Sequence, residues 1–115
     1  LTLRYGSFSK SKEMTHPSFV NLRPFGPVQL EDGSFYEGQW KDHFRCGMGK
    51  ALFKNGDSYE GYWIDDKPDL LGRMVSVEGD VYEGFISDGK ANGKGVFLKL
   101  NGYRYVGQFF MDMKH

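Results

Sequence analysis

Apolar and polar positions alternate in short bursts along this chain, and Tyr36-Glu37-Gly38-Gln39-Trp40 shows the pattern most clearly. On an extended backbone a period of two sends Tyr36, Gly38 and Trp40 to one face and Glu37 and Gln39 to the other. The burst predicts a half-buried strand. It returns as Tyr59-Glu60-Gly61-Tyr62-Trp63, Tyr82-Glu83-Gly84-Phe85-Ile86 and Tyr105-Val106-Gly107-Gln108-Phe109, at three successive spacings of 23 residues. A second set of short apolar stretches, Lys50 to Phe53, Arg73 to Val77 and Val96 to Leu100, follows the glycines of the same frame, Gly49, Gly72 and Gly95. The stretches are bounded by Asp32-Gly33, Asn55-Gly56, Glu78-Gly79 and Asn101-Gly102, pairs that tolerate the positive φ of tight hairpin turns. Each unit therefore reads as a β-hairpin, and successive hairpins continue one antiparallel meander. No window carries helical periodicity.

The frame extends backwards to Gly26, 23 residues before Gly49, with Val28 and Leu30 in phase with Ala51 and Phe53. Residues 26–115 are thus expected to form a repeat array that begins with half a unit and stops in mid-unit, open at its C-terminal end. Gly47-x-Gly49 and Gly93-x-Gly95 read as turns, and Leu70 takes the place of the first glycine in the second copy. A glycine on the aromatic face has a physical reason, because without a Cβ it lets a ring from the neighbouring strand lie flat across the backbone.

The register Tyr-Glu-Gly-x-Trp, a loop, Gly-x-Gly, a short apolar strand and Asn/Asp-Gly resembles the MORN repeat, over about residues 26–115. Departures are Leu70 for Gly, Ile86 for the aromatic, Val106 for Glu, and His43 or Asp66 where the third copy has Gly89. The resemblance implies an all-β fold, an elongated, curved, single-layer antiparallel β-meander. It also implies a non-catalytic interaction and scaffolding module, of the kind found in cytoskeletal, ciliary and membrane-junction proteins or beside a catalytic domain in a longer chain.

Composition narrows the classes further. Fifteen Lys and Arg balance fifteen Asp and Glu, which removes the basic excess that nucleic-acid binders depend on. The repeat-equivalent positions Lys41, Ile64, Ser87 and Phe110 carry one charge, so no basic stripe supports a membrane-surface or phospholipid role, the alternative to protein binding. Residues 1–25 differ in kind: they hold Arg4, Lys10, Lys12 and Arg23 against Glu13, and are rich in Ser and Thr. They read as a basic arm or an N-terminal cap that packs Phe8, Phe19 and Phe25 on the edge of the first strand, since the ends of repeat arrays need covering. Their composition also matches an organelle-targeting leader. One cysteine, Cys46, excludes an internal disulfide and suits a reducing, intracellular setting; the resemblance implies a cytoplasmic place or one associated with the cytoskeleton or cilium.

Screens for chemistry return no catalytic, cofactor or metal site. The Gly-x-Gly pairs lead into strands, so no helix N-terminus awaits a phosphate. His43 and Cys46 are three apart but lack the further ligands a closed metal site needs, and Asp65-Asp66-Lys67-Pro68-Asp69 lacks the alternating ligands of a calcium loop. The expected function is a non-enzymatic protein-binding module within a larger assembly, with a regulatory domain of an enzyme outside this chain as a further alternative. Its groove is expected to be lined by Tyr36, Trp40, Tyr59, Trp63, Tyr82, Tyr105 and Phe109. About eight strands at ~4.8 Å separation make a groove of ~34 Å, long enough for one extended segment or a helix of ~22 residues. Trp40 and Trp63, near the loops, are the rings expected to be most exposed. Leu70 and Leu71, apolar residues expected in a loop, form a secondary contact.

Overall fold

The computed structural model describes residues 14–114. Among them nine strands form one antiparallel sheet in sequence order: β1 (Arg23–Gln29), β2 (Phe35–Lys41), β3 (Phe44–Leu52), β4 (Ser58–Ile64), β5 (Lys67–Val75), β6 (Val81–Ser87), β7 (Lys90–Leu98), β8 (Arg104–Phe110) and β9 (Met113–Lys114). The expected meander of hairpins is therefore present, in a body of 39 × 28 × 23 Å. Its first strand opens at Arg23, three residues ahead of the expected start of the array.

Two kinds of turn alternate along the meander. At one edge of the sheet Gly33 N donates to Leu30 O and Leu30 N to Ser34 O, and the pair repeats at Phe53/Asp57, Ser76/Asp80 and Lys99/Tyr103. Gly33, Gly56, Gly79 and Gly102 take φ of 91° to 100° there, as their Asx-Gly and Glu-Gly pairs predict. At the other edge two residues suffice, Asp65-Asp66 between Ile64 and Lys67 being one case. Both aspartates are left-handed, at φ 49° and 71°, a region their short polar side chains tolerate.

The Gly-x-Gly segments are not turns. They lie inside β3, β5 and β7, which begin several residues earlier than the apolar stretches suggested. Between the pairs Gly38↔Gly49 and Trp40↔Arg45, the single residue Gln39 faces Cys46, Gly47 and Met48, so the long strand bulges. The same bulge recurs opposite Tyr62 and Phe85. Its left-handed residue is Gly47, Leu70 or Gly93, at φ 95°, 65° and 100°. Leu70 and Leu71 consequently sit in β5 rather than in a loop, and Asp69 Oδ1 accepts from Leu70 N at 2.8 Å to hold the distorted backbone.

The core lies on the face of the tyrosines. One straight row, Val28, Tyr36, Ala51, Tyr59, Met74, Tyr82, Phe97 and Tyr105, crosses eight strands through successive pairings. Beside it runs a row of glycines, and the rings of Tyr36, Tyr59 and Tyr82 each reach over the glycine of the next strand. A methyl at Gly49 would run into the Tyr36 hydroxyl, and one at Gly72 into that of Tyr59. Each hydroxyl donates to the carbonyl three residues ahead, Tyr36 to Gln39 at 2.8 Å, Tyr59 to Tyr62 at 2.8 Å, Tyr82 to Phe85 at 2.6 Å and Tyr105 to Gln108 at 2.9 Å.

Candidate interaction surfaces

The tyrosine face brings the expected groove residues together, but as a packed row. Tyr36 and Trp63 are 0% exposed and Tyr59 1%. Trp63 stands edge-on between Tyr36 and Tyr59, with centroids 5.3 Å from each, and Phe109 stands likewise between Tyr82 and Tyr105 at 4.9 and 5.2 Å. Such edge-to-face pairs add ~0.5–1.5 kcal/mol each beyond the area they bury. Trp63 Nε1 donates to Gly49 O at 3.1 Å, and the Arg45 guanidinium lies 4.6 Å from the centre of the indole. The expectation that Trp63 is exposed is thus overturned: a position near the loop does not expose a ring that the preceding repeat's tyrosine covers. Tyr82 and Phe109 are also buried, whereas Trp40 and Tyr105, at the two ends of the row, are half-buried.

Burial sets the chemistry of the row. Loss of solvent raises the Tyr36 and Tyr59 phenols well above their ordinary value and pushes Tyr82 up to about 12. The rings are held neutral, as hydrogen-bond donors and apolar surface.

The opposite face carries features the sequence reading missed. Glu37, Lys50, Glu60, Arg73 and Glu83 pair across β2 to β6 in a line of alternating charge. Glu60, 4% exposed, is flanked by Lys50 and Arg73, and Arg73 Nε lies 3.1 Å from Glu83 Oε1. The line then changes character: Val96 faces Val106, so the departure at Val106 comes with a matching loss of the cation opposite. Spacings of 13 and 10 residues between the charges were the available signal.

Next to this line an apolar patch forms from Tyr62, Leu71, Met48, Leu70 and Phe85, with Met14 and Phe19 packed on it. Leu70 and Leu71, the expected secondary contact, therefore belong to a patch on which the chain's own N-terminal segment packs. Phe19 stacks on Tyr62 at 5.9 Å, Met14 N donates to Tyr62 Oη at 3.0 Å, and Lys41 Nζ donates to Ser18 O at 3.2 Å. The described part of the arm, residues 14–19, thus lies on a sheet face. Phe25 lies in β1 itself and is 64% exposed, while Phe8 is outside the described residues.

The candidates for chemistry have structural partners. Cys46 is buried, its thiol within 3.7 Å of Ser18 O. Asp66 accepts from Arg45 N at 3.0 Å and from Arg45 Nε at 2.6 Å. Burial alone raises its carboxyl, but the Arg45 hydrogen bonds and charge outweigh that and hold it below the usual value. Asp69 Oδ2 accepts from Asp88 N at 3.1 Å.

The 23-residue repeat, with Tyr-x-Gly on one strand and Gly on the next, is in register with a match to a known family. The model described as the MORN repeat matches residues 36–58, 59–81, 82–102 and 105–115. The chain belongs to the MORN-repeat family. MORN repeats generally serve in protein–protein or membrane–lipid interactions. No curated protein matches the chain. Within this MORN array the turn departures also come in pairs. Asp66 and Asp112 donate through their backbone N–H to Arg45 O and Ala91 O, and their carboxylates accept from Arg45 N and Ala91 N. Between them Gly89 N donates to Pro68 O in the same way. Gly89 has no carboxylate to offer, and Pro68 has no N–H that needs one.

Proposed function

We propose that this MORN array is a non-enzymatic protein-interaction module that holds an extended partner segment across the face opposite its tyrosines. The observation that carries the reading is the seat of residues 14–19 on Tyr62 and Leu71, an aromatic stack flanked by hydrogen bonds to a backbone N–H and a backbone carbonyl. The face binds a segment of its own chain by the chemistry that peptide recognition uses. The same face stays open beyond the arm, where Val106 is 61%, Phe110 56% and Leu98 43% exposed. Alternating charges across β2 to β6 give no basic stripe, which favours a protein over an anionic lipid surface.

A photo-crosslinking residue placed at Val106 or Leu98 of the full chain, in cells, tests the reading. A protein adduct mapped to the same peptide of one partner from both positions supports it. The opposing result is co-sedimentation with phosphatidylserine vesicles and no protein adduct, which makes the module a membrane binder.

A further inference from the structure

The tyrosine row has a regular grammar, and its first member breaks it. Trp63 is enclosed by its own repeat's Tyr59 and by Tyr36 of the repeat before, and its Nε1 donates to Gly49 O. Trp40, 23 residues earlier, has Tyr36 at 5.0 Å as the corresponding ring of its own repeat. The ring on its other side would come from residue 13, which is Glu13. The carbonyl equivalent to Gly49 O belongs to Gly26, inside the bulge between Phe25 and Val28, and Trp40 Nε1 finds no hydrogen-bond partner among the described residues. A cavity of about 800 Å³ opens at this end of the row, with walls from Phe25, Val28, Leu30 and Trp40 and a polar rim from Arg23 and His43.

We propose that this cavity is a socket for a tyrosine or phenylalanine side chain presented by a partner protein, which takes the place that the preceding repeat's tyrosine would hold. The array supplies the template: everywhere else along the row an aromatic at Trp40's phase is closed on that side by a tyrosine ring edge-on to it. The socket takes a side chain rather than an added strand. Pro24 and Pro27 remove two N–H donors from β1, which blunts its free edge against pairing. The proposal rests on the reading of the array as a protein-binding module, but it uses the other face, so the two fail separately.

The test reads the two indole N–H signals of the 15N-labelled full chain, assigned with Trp40→Phe. N-acetyl-tyrosinamide should move the Trp40 signal saturably, with a dissociation constant of roughly 1 mM or weaker as its size dictates, and leave Trp63 in place. N-acetyl-leucinamide should bind about fivefold more weakly. Val28→Phe fills the socket with a ring that the same row already carries at Phe97. It should weaken the probe by about tenfold or more while an unchanged Trp63 signal reports an intact fold. Parallel movement of both signals, no saturation, or unaltered binding to Val28→Phe overturns the proposal. So does a shift of the Trp40 signal when residues 1–13 are removed and no probe is present, because the occupant is then the chain's own N-terminal segment.

Discussion

At the scale of single residues the fold depends on pairs in which glycine makes room and tyrosine fills it. Tyr59 lies across Gly72 and Tyr82 across Gly95, each ring anchored by its hydroxyl to the carbonyl of the residue opposite the bulge. A phenolate could neither donate that bond nor remain in an apolar row. The folded phenols of Tyr36, Tyr59 and Tyr82 are raised above the ordinary value of 10.0. Groups raised in this way contribute stability that is fully present below about pH 10 and is lost as the pH climbs through the folded values, burial having pushed Tyr82 up to about 12. Alkaline titration followed by phenolate absorbance and circular dichroism should therefore show the β signal collapsing together with a late step of ionisation above pH 10. Complete ionisation near pH 10 with the β signal intact is the contrary result.

At the scale of elements, departures from the repeat are tolerated when the neighbouring strand changes with them. Pro68 opposite Gly89 and Val96 opposite Val106 are two such exchanges, one of a hydrogen bond and one of a charge pair. Cross-strand pairs of opposite charge are worth ~0.2–1 kcal/mol. Val106→Glu alone should therefore lower stability or leave it unchanged, and Val96→Lys with Val106→Glu should recover ~0.2–1 kcal/mol relative to the two single changes, read by a double-mutant cycle in urea. Zero coupling would show that the line of charge contributes nothing. The hairpins, the Asx-Gly turns and the role of the glycines were legible in the sequence because each follows from local backbone chemistry at a fixed period. The bulge was not, since Gly47-x-Gly49 serves a turn and a bulge equally well, and only the pairing of Gly38 with Gly49 decides between them. The burial of Trp63 escaped for a related reason: its enclosure depends on Tyr36, a full repeat away, and not on its place along β4.

At the scale of the whole molecule a single sheet has two faces to protect, and one row of aromatics covers only one of them. Repeats contact only their neighbours, so stability is a sum of local terms. Residues 14–19 add a term on the second face, over β3, β4 and β5, through Phe19 stacked on Tyr62 and Met14 packed on the Tyr62–Leu71 cluster. Half-buried, the Phe19 ring removes enough apolar area for its loss to cost roughly 1–2 kcal/mol. Phe19→Ala should lower the melting temperature by roughly 4 °C or more, at about 4 °C per kcal/mol for a chain between the small and mid-sized domain ranges. The loss should also be local. Hydrogen exchange is expected to speed up in β4 and β5, which lie under the arm, while β7 and β8, one and two repeats further on, keep their protection. Uniform deprotection of all strands would mean that the array unfolds as one unit. An unchanged melting temperature would mean that the arm rests on the sheet without supporting it.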